Sequence, residues 1–144
     1  MSRTKRSHCP ISFALDIFGD KWSLLIIRDM MFFHKSTYGE FQKSAEGIAT
    51  NILASRLQIL EENNLISKSQ HPESKSKTLY KLTQKGIDLL PVIVEIHLWA
   101  EKQFEIPADI KAMIKEAKKG KEEFIQSVKK QLTKELQTRS EANT

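Results

Sequence analysis

Residues 50–62 read TNILASRLQILEE. Wound at 100° per residue, they place Leu53, Leu57 and Leu60 on one side and Asn51, Ser55, Gln58 and Glu62 opposite. The leucine row predicts a helix from about Thr50 to Glu62 lying on a core. The opposite face is the unusual part. A surface helix ordinarily fills it with Lys and Glu, whereas this one offers Thr, Asn, Ser and Gln. These short neutral groups can hydrogen-bond base edges, and Asn and Gln pair bidentately with adenine. An ordinary amphipathic helix accounts for the same pattern, so the flanking segments have to decide.

Upstream, STYGEFQKSAEGI (36–48) contains the pair Thr37 and Glu40, spaced as a capping box that starts a short helix on Tyr38, with Gly47 breaking the chain before residue 50. Downstream, ENN (62–64) ends the long helix, since asparagine tolerates the left-handed conformation needed there. The period then shortens. LISKSQ (65–70) and KTLYKL (77–82) read as two strands around the polar turn HPESKS (71–76), a β-hairpin. Two helices precede this group, Ile11–Phe18 with Pro10 in its first turn and Gly19 at its end, and Lys21–Phe33 with Trp22, Leu25, Ile26, Met30 and Phe33 facing the core. A long helix follows, capped by Thr83 and running to about Phe104 with a kink at Pro91.

The expected fold is mainly α with a small β-hairpin, in the order α-α-α-α-β-β-α, a winged helix-turn-helix with a C-terminal helical extension. The expected organisation is a flexible basic arm (1–8), a DNA-binding and dimerisation domain (9–104) and the extension (105–144). In the extension, two helical stretches separated at Gly120 carry Ile125, Val128, Leu132 and Leu136 as a stripe.

Bulk properties agree with a DNA partner. The chain of 144 residues is long enough for one domain with a proper core. Its formal charge of +5 is uneven: Lys68, Lys75, Lys77, Lys81 and Lys85 against Glu73 give +4 within residues 66–85. A solvated loop and a phosphate-binding wing both fit that excess. A single cysteine excludes an internal disulfide framework and fits a reducing compartment. No apolar signal segment follows MSRTKRSH. LLII is cut by Arg28 and Asp29, and LLPVIV by Glu95 and His97, so no membrane span is expected. The expected setting is the cytoplasm. His8, His34, His71 and His97 are scattered without metal-ligand spacing, and no phosphate loop, nucleophile elbow or paired-carboxylate signature occurs. Neither a metal, a cofactor nor an enzymatic activity is expected.

The stretches CPISFALDIFGDKWSLLIIRDM, YGEF, GIATNILASRLQILEENNLI and YKLTQKGIDLLPVI resemble the HxlR-type family of bacterial winged-helix regulators, in its order and spacing, over residues 8–104. That resemblance implies a homodimer on a pseudo-palindromic operator of double-stranded DNA, with the fourth helix in the major groove and the hairpin as the wing. Three positions depart from the family pattern. Thr37 stands where a basic residue is common, Ala49 where a serine usually caps the helix, and Asn64 where glycine is usual. The first two blur operator preference.

Thr50, Asn51, Ser55 and Gln58 are the base-edge candidates, although each is as able to touch a phosphate or a water. Thr37, Arg56, Lys75, Ser76 and Lys77 are candidates for the DNA backbone, with a neighbouring carboxylate as the alternative partner of Arg56. The helix after Gln84 is apolar nearly all round and needs a second partner surface. Ile11, Leu15, Leu90, Val94 and Leu98 are expected in a dimer interface enlarged by the extension; the alternative is that residues 105–144 fold back over that helix. Cys9 falls at or next to the N-cap of the first helix, where the dipole, Arg6 and His8 favour negative charge on sulfur. The resemblance adds that some family members sense oxidants or electrophiles such as quinones at this Cys-Pro position. Packing as a small hydrophobe is the competing role. The competing function is a winged-helix dimer that has lost DNA binding and offers its basic wing to an acidic protein.

Overall fold

Four neutral or acidic side chains decide where the early helices begin and end. Asp20 accepts the amides of Trp22 (2.8 Å) and Ser23 (2.9 Å), so the second helix starts two residues later than its sequence pattern suggests. Thr37 accepts the amide of Glu40, while the Glu40 carboxylate takes the amides of Ser36 and Thr37, the expected capping box. Asn64, at φ 62°, turns the chain so that the Leu65 amide reaches back to the Leu60 carbonyl at 3.0 Å.

A computed structural model describes the backbone of residues 7–142 and the side chains of residues 7–136. Arg6 and most of the expected basic arm lie outside the described residues. The elements are α1 (Pro10–Phe18), α2 (Ser23–Phe32), α3 (Tyr38–Gln42), α4 (Thr50–Glu62), β1 (Ile66–His71), β2 (Ser74–Leu82), α5 (Gln84–Ile87), α6 (Leu90–Glu101), α7 (Ala108–Lys119) and α8 (Lys121–Ala142). The chain divides into two compact units, one ending at Lys81 and the other beginning at Leu82.

In the first unit α2, α3 and β1 all pack on α4. Ile27, Met31, Phe41, Leu53, Leu57 and Leu60 are buried, so the leucine row faces the core as expected. The α2 stripe is rotated from its expected position. Phe33 stays half exposed, and Ile27 and Met31 take its place inside. The hairpin is also tighter than expected, with only Pro72 and Glu73 between strands, so Lys75 and Ser76 belong to β2. A feature with no local sequence signal joins wing to helix-turn-helix. Thr37 pairs with Leu79 in an antiparallel bridge, and the Tyr80 amide donates to the Ser36 carbonyl at 2.7 Å.

Beneath the loop between α3 and α4 lies a charged network. Asp29, 2% exposed, accepts Arg28 Nη2 at 2.7 Å and the Ser44 hydroxyl at 2.8 Å, with Lys35 Nζ 3.5 Å away. Arg28 also holds Glu46 through two nitrogens, at 2.8 and 2.9 Å. The network ties α2 to the segment that delivers α4.

In the second unit the expected single kinked helix is two. Pro91 has no amide to continue a helix from α5, so the chain turns at Asp88 and Leu89 and Pro91 enters the first turn of α6, where no donor is required. Thr83 caps α5 through the Gly86 amide at 3.1 Å. Helices α7 and α8, divided at Gly120, fold back on α5 and α6 of their own chain. Ile114, Ala117 and Leu132 are buried there, and Lys118, Lys121 and Lys129 pair with Glu101, Glu95 and Asp88. Among the described residues no helix is long and apolar enough to cross a membrane.

The Arg28 guanidinium, followed by the Ser44 hydroxyl, holds the Glu46 carboxyl down at about 2, against 4.5 for the free group. A carboxyl depressed in the folded state stabilises fully above its unfolded value, and that contribution is lost as pH falls through the folded one. Wild type should therefore exceed Glu46→Gln in urea midpoint at pH 7, and the gap should close between about pH 4.5 and pH 2. A gap independent of pH would exclude the ionised pair as its source.

Candidate nucleic-acid interface

The N-terminus of α4 follows Gly47, which adopts φ 65°, and Ala49, whose side chain caps nothing. The first amides of α4 thus lack a cap from their own N-cap residue, an arrangement suited to a phosphate. What positions this end is α3. The Tyr38 hydroxyl donates to the Thr50 carbonyl at 2.6 Å, and the Gln42 amide donates to the Thr50 hydroxyl at 3.1 Å. The sequence pattern does not single out Tyr38 or Gln42. Their only signal was a polar group on a short helix facing the next one.

Thr50, Asn51, Ser55 and Gln58 all lie exposed, with Asn51, Ser55 and Gln58 on the face away from Leu53, Leu57 and Leu60 and Thr50 at the start of the helix. Their hydrogen-bonding states differ. The Thr50 hydroxyl is engaged by Gln42, and the Gln58 amide donates to Glu62 at 3.1 Å. Asn51 and Ser55 make no side-chain hydrogen bond among the described residues, which leaves their groups available to another molecule.

The backbone-contact candidates separate further. Lys75, Ser76 and Lys77 are exposed on β2, with Lys75 and Lys77 two residues apart on one strand face. Neither lysine forms an ion pair among the described residues. By contrast, Lys68 lies 3.7 Å from Glu61. Thr37 is committed to its capping box: its hydroxyl donates to Glu40 at 2.9 Å and accepts the Glu40 amide at 3.3 Å. Arg56 turns away from the exposed face of α4, with its Nε 3.6 Å from Asp20. Burial opposes the charge on Asp20, yet the Ser23 hydroxyl, the amides of Trp22 and Ser23 and the Arg56 charge together hold its carboxyl below the ordinary value.

Cys9 is exposed and stands at the N-cap of α1, as expected; its carbonyl accepts the Phe13 amide at 3.1 Å. Of the residues expected between subunits, Ile11 and Leu15 are exposed and Leu98 is half-buried. Leu90 and Val94 are corrected by the structure. At 0% and 3% exposure they already serve their own chain's core and have no area left to offer a partner. The exposed apolar positions of α6 are Val92, Ile96 and Trp99.

A family model described as HxlR-like helix-turn-helix matches residues 17–107. The HTH-type transcriptional regulator YodB of Bacillus subtilis is 35% identical over 102 residues, covering 70% of this chain and 89% of YodB. Among solved structures, PA1607 superposes with a TM-score of 0.64 at 44% identity, over 72% of this chain and 71% of that one. The quinone-bound form of YodB superposes with a TM-score of 0.54 at 29% identity, over 65% of this chain and 99% of that one. Element order, the α3–α4 geometry and these matches agree: the chain belongs to the HxlR-like helix-turn-helix family.

Proposed function

We propose that this protein is a sequence-specific DNA-binding transcription regulator of the cytoplasm, acting as a homodimer on a pseudo-palindromic operator. In this reading α4 enters the major groove and the β1–β2 wing lies along the phosphate backbone. The observation that carries it is the outer face of α4, exposed and nearly uncharged, with the Asn51 and Ser55 side chains unbonded, in the same unit as the exposed Lys75 and Lys77 of β2. YodB carries a regulator's name, which supports the same reading here. Thr50 and Gln58 join as base contacts once their Gln42 and Glu62 partners yield.

Dimerisation is supported by uncovered apolar surface. Helix α1, PISFALDIF, has no buried residue, with Ile11 at 69% exposure and Leu15 at 50%. On α6, Val92, Ile96 and Trp99 are likewise uncovered. A two-fold dimer buries the same patch on both copies, the economical way to remove such surface from water.

Cys9 serves in this reading as a thiol sensor. It is exposed at the N-terminus of a helix whose apolar face is assigned to the dimer, and the quinone-bound YodB shows that a relative takes up such an electrophile. With a quinone, the Cys9 sulfur adds to a ring carbon. A C–S bond forms, and the ring takes the electron pair and a proton to become a hydroquinone. With diamide, two thiols give a disulfide, either between subunits or with a small thiol, and the diazene is reduced to the hydrazine.

On a footprinted operator, half-sites should lie about one helical turn apart. With about six to ten phosphate contacts, affinity should fall by about 10³–10⁵ between about 50 and 200 mM salt. Asn51→Ala should cost about 1–3 kcal/mol and relax preference at one position, while Lys77→Ala should weaken all sequences alike and flatten the salt slope by about one. Equal losses on operator and random DNA for both variants would reduce α4 to a positioning element.

Quinone treatment should add one adduct mass per chain and release the operator in a gel shift, and Cys9→Ser should show neither effect. Release that persists in Cys9→Ser would leave Cys9 a packing residue.

A further inference from the structure

Between its core face and its outer face, α4 has a flank formed by Ile52, Arg56 and Ile59, successive neighbours at helical spacing. Opposite that flank stand α1 and the α1–α2 turn, across a cleft of about 590 Å³ walled by Phe13, Ile17 and Ile59. The elements packed most closely on α4 are α2, α3 and β1, so packing leaves this side open.

Arg56 and Asp20 meet across the opening. Arg56 Nε lies 3.6 Å from Asp20 Oδ2, too far for a hydrogen bond and close for two charges, with the side chains 32% and 18% exposed. Asp20 is a fixed anchor. Its carboxylate accepts the amides of Trp22 and Ser23 and the Ser23 hydroxyl, and Ser23 is fully buried at the start of α2. With one partner already immobilised, the pair costs mainly the side-chain freedom of Arg56. Asn51 and Ser55 lie about 140° and 100° from Arg56 around the helix, so the guanidinium is directed away from them.

We propose that Arg56 is a positioning residue, which pairs with Asp20 to brace the flank of α4 against the α1–α2 turn and so sets the angle at which Asn51 and Ser55 meet an operator. Tyr38 and Gln42 hold the first turn of α4, and Leu53, Leu57 and Leu60 hold one face. A helix held in those two ways can still tilt about the leucine row, and a charge pair on the flank opposes that tilt. The consequence for DNA rests on α4 reading bases; the brace itself does not.

The test compares wild type with Arg56→Gln, Asp20→Asn and the double variant, on the footprinted operator and on a random duplex of equal length. In Arg56→Gln, operator affinity should fall about three- to fivefold, the range of a half-screened pair, with random-duplex affinity and the salt slope unchanged. A lost phosphate contact would instead weaken both duplexes and flatten the slope by about one. Asp20→Asn keeps an oxygen for the Trp22 and Ser23 amides while removing a negative charge. Charge alone would then tighten DNA binding, whereas the brace requires operator binding to weaken. The double variant should be no weaker than the weaker single one, because both changes remove one interaction. Residual dipolar couplings of the α4 amides, measured without DNA, should report α4 tilted relative to α2 in Arg56→Gln. That measurement decides for or against the brace even where wild type fails to prefer the operator. A flattened slope, tighter operator binding by Asp20→Asn, additive losses, or α4 couplings unchanged in Arg56→Gln would each overturn the proposal.

Discussion

Asp29 is the constraint around which the first unit is arranged. A carboxylate at 2% exposure survives only if its charge is answered, because burying an unpaired ion costs several kcal/mol, about 3–5 when one partner of a buried pair is removed. Arg28 answers it from the same helix, Ser44 from the loop ahead of α4, and Lys35 from the segment ahead of α3. Arg28 then reaches on to Glu46 with two parallel hydrogen bonds. The loop between α3 and α4 is thereby held to α2 at two points, Ser44 and Glu46. Tyr38 and Gln42 complete the placement by gripping Thr50 from the other side. Helix α4 is thus positioned by polar contacts at its start and by leucines along its length.

Each side of α4 has a separate task. Leu53, Leu57 and Leu60 hold it to the core; a leucine deleted from such a site costs about 2–5 kcal/mol. Asn51 and Ser55 face outward with their hydrogen-bonding capacity unspent. Arg56 and Ile59 form a third flank toward α1.

In the second unit the extension changes what α6 has to offer. Helices α7 and α8 pack on it, and three lysines from the extension pair with Glu95 and Glu101 of α6 and with Asp88 in the turn after α5. Such exposed pairs contribute little each, about 0–1 kcal/mol, so they set register more than strength. The burial of Ile114, Ala117 and Leu132 supplies the larger share. What remains for another molecule is the narrower row Val92, Ile96 and Trp99.

The sequence by itself determined element order, the α4 span, the Thr37–Glu40 capping box, the left-handed Asn64 and the division of the extension at Gly120. All of these are local: a cap, a turn or a helical period depends on residues within a few positions of one another. It also determined which side of α4 is core, because leucine spacing survives any tertiary arrangement. Tertiary structure decided the rest. Phe33 and Met31 exchanged places because the face a helix buries depends on its neighbours. Leu90 and Val94 are buried within their own chain, which helical spacing alone does not specify. Arg56 turns toward Asp20, thirty-six positions earlier in the chain. The pairing of Thr37 with Leu79, the grip of Tyr38 and Gln42 on Thr50, and the cleft behind Ile59 join residues whose proximity no spacing rule encodes. Periodicity reports a residue's orientation about its own axis, and only packing decides what stands opposite.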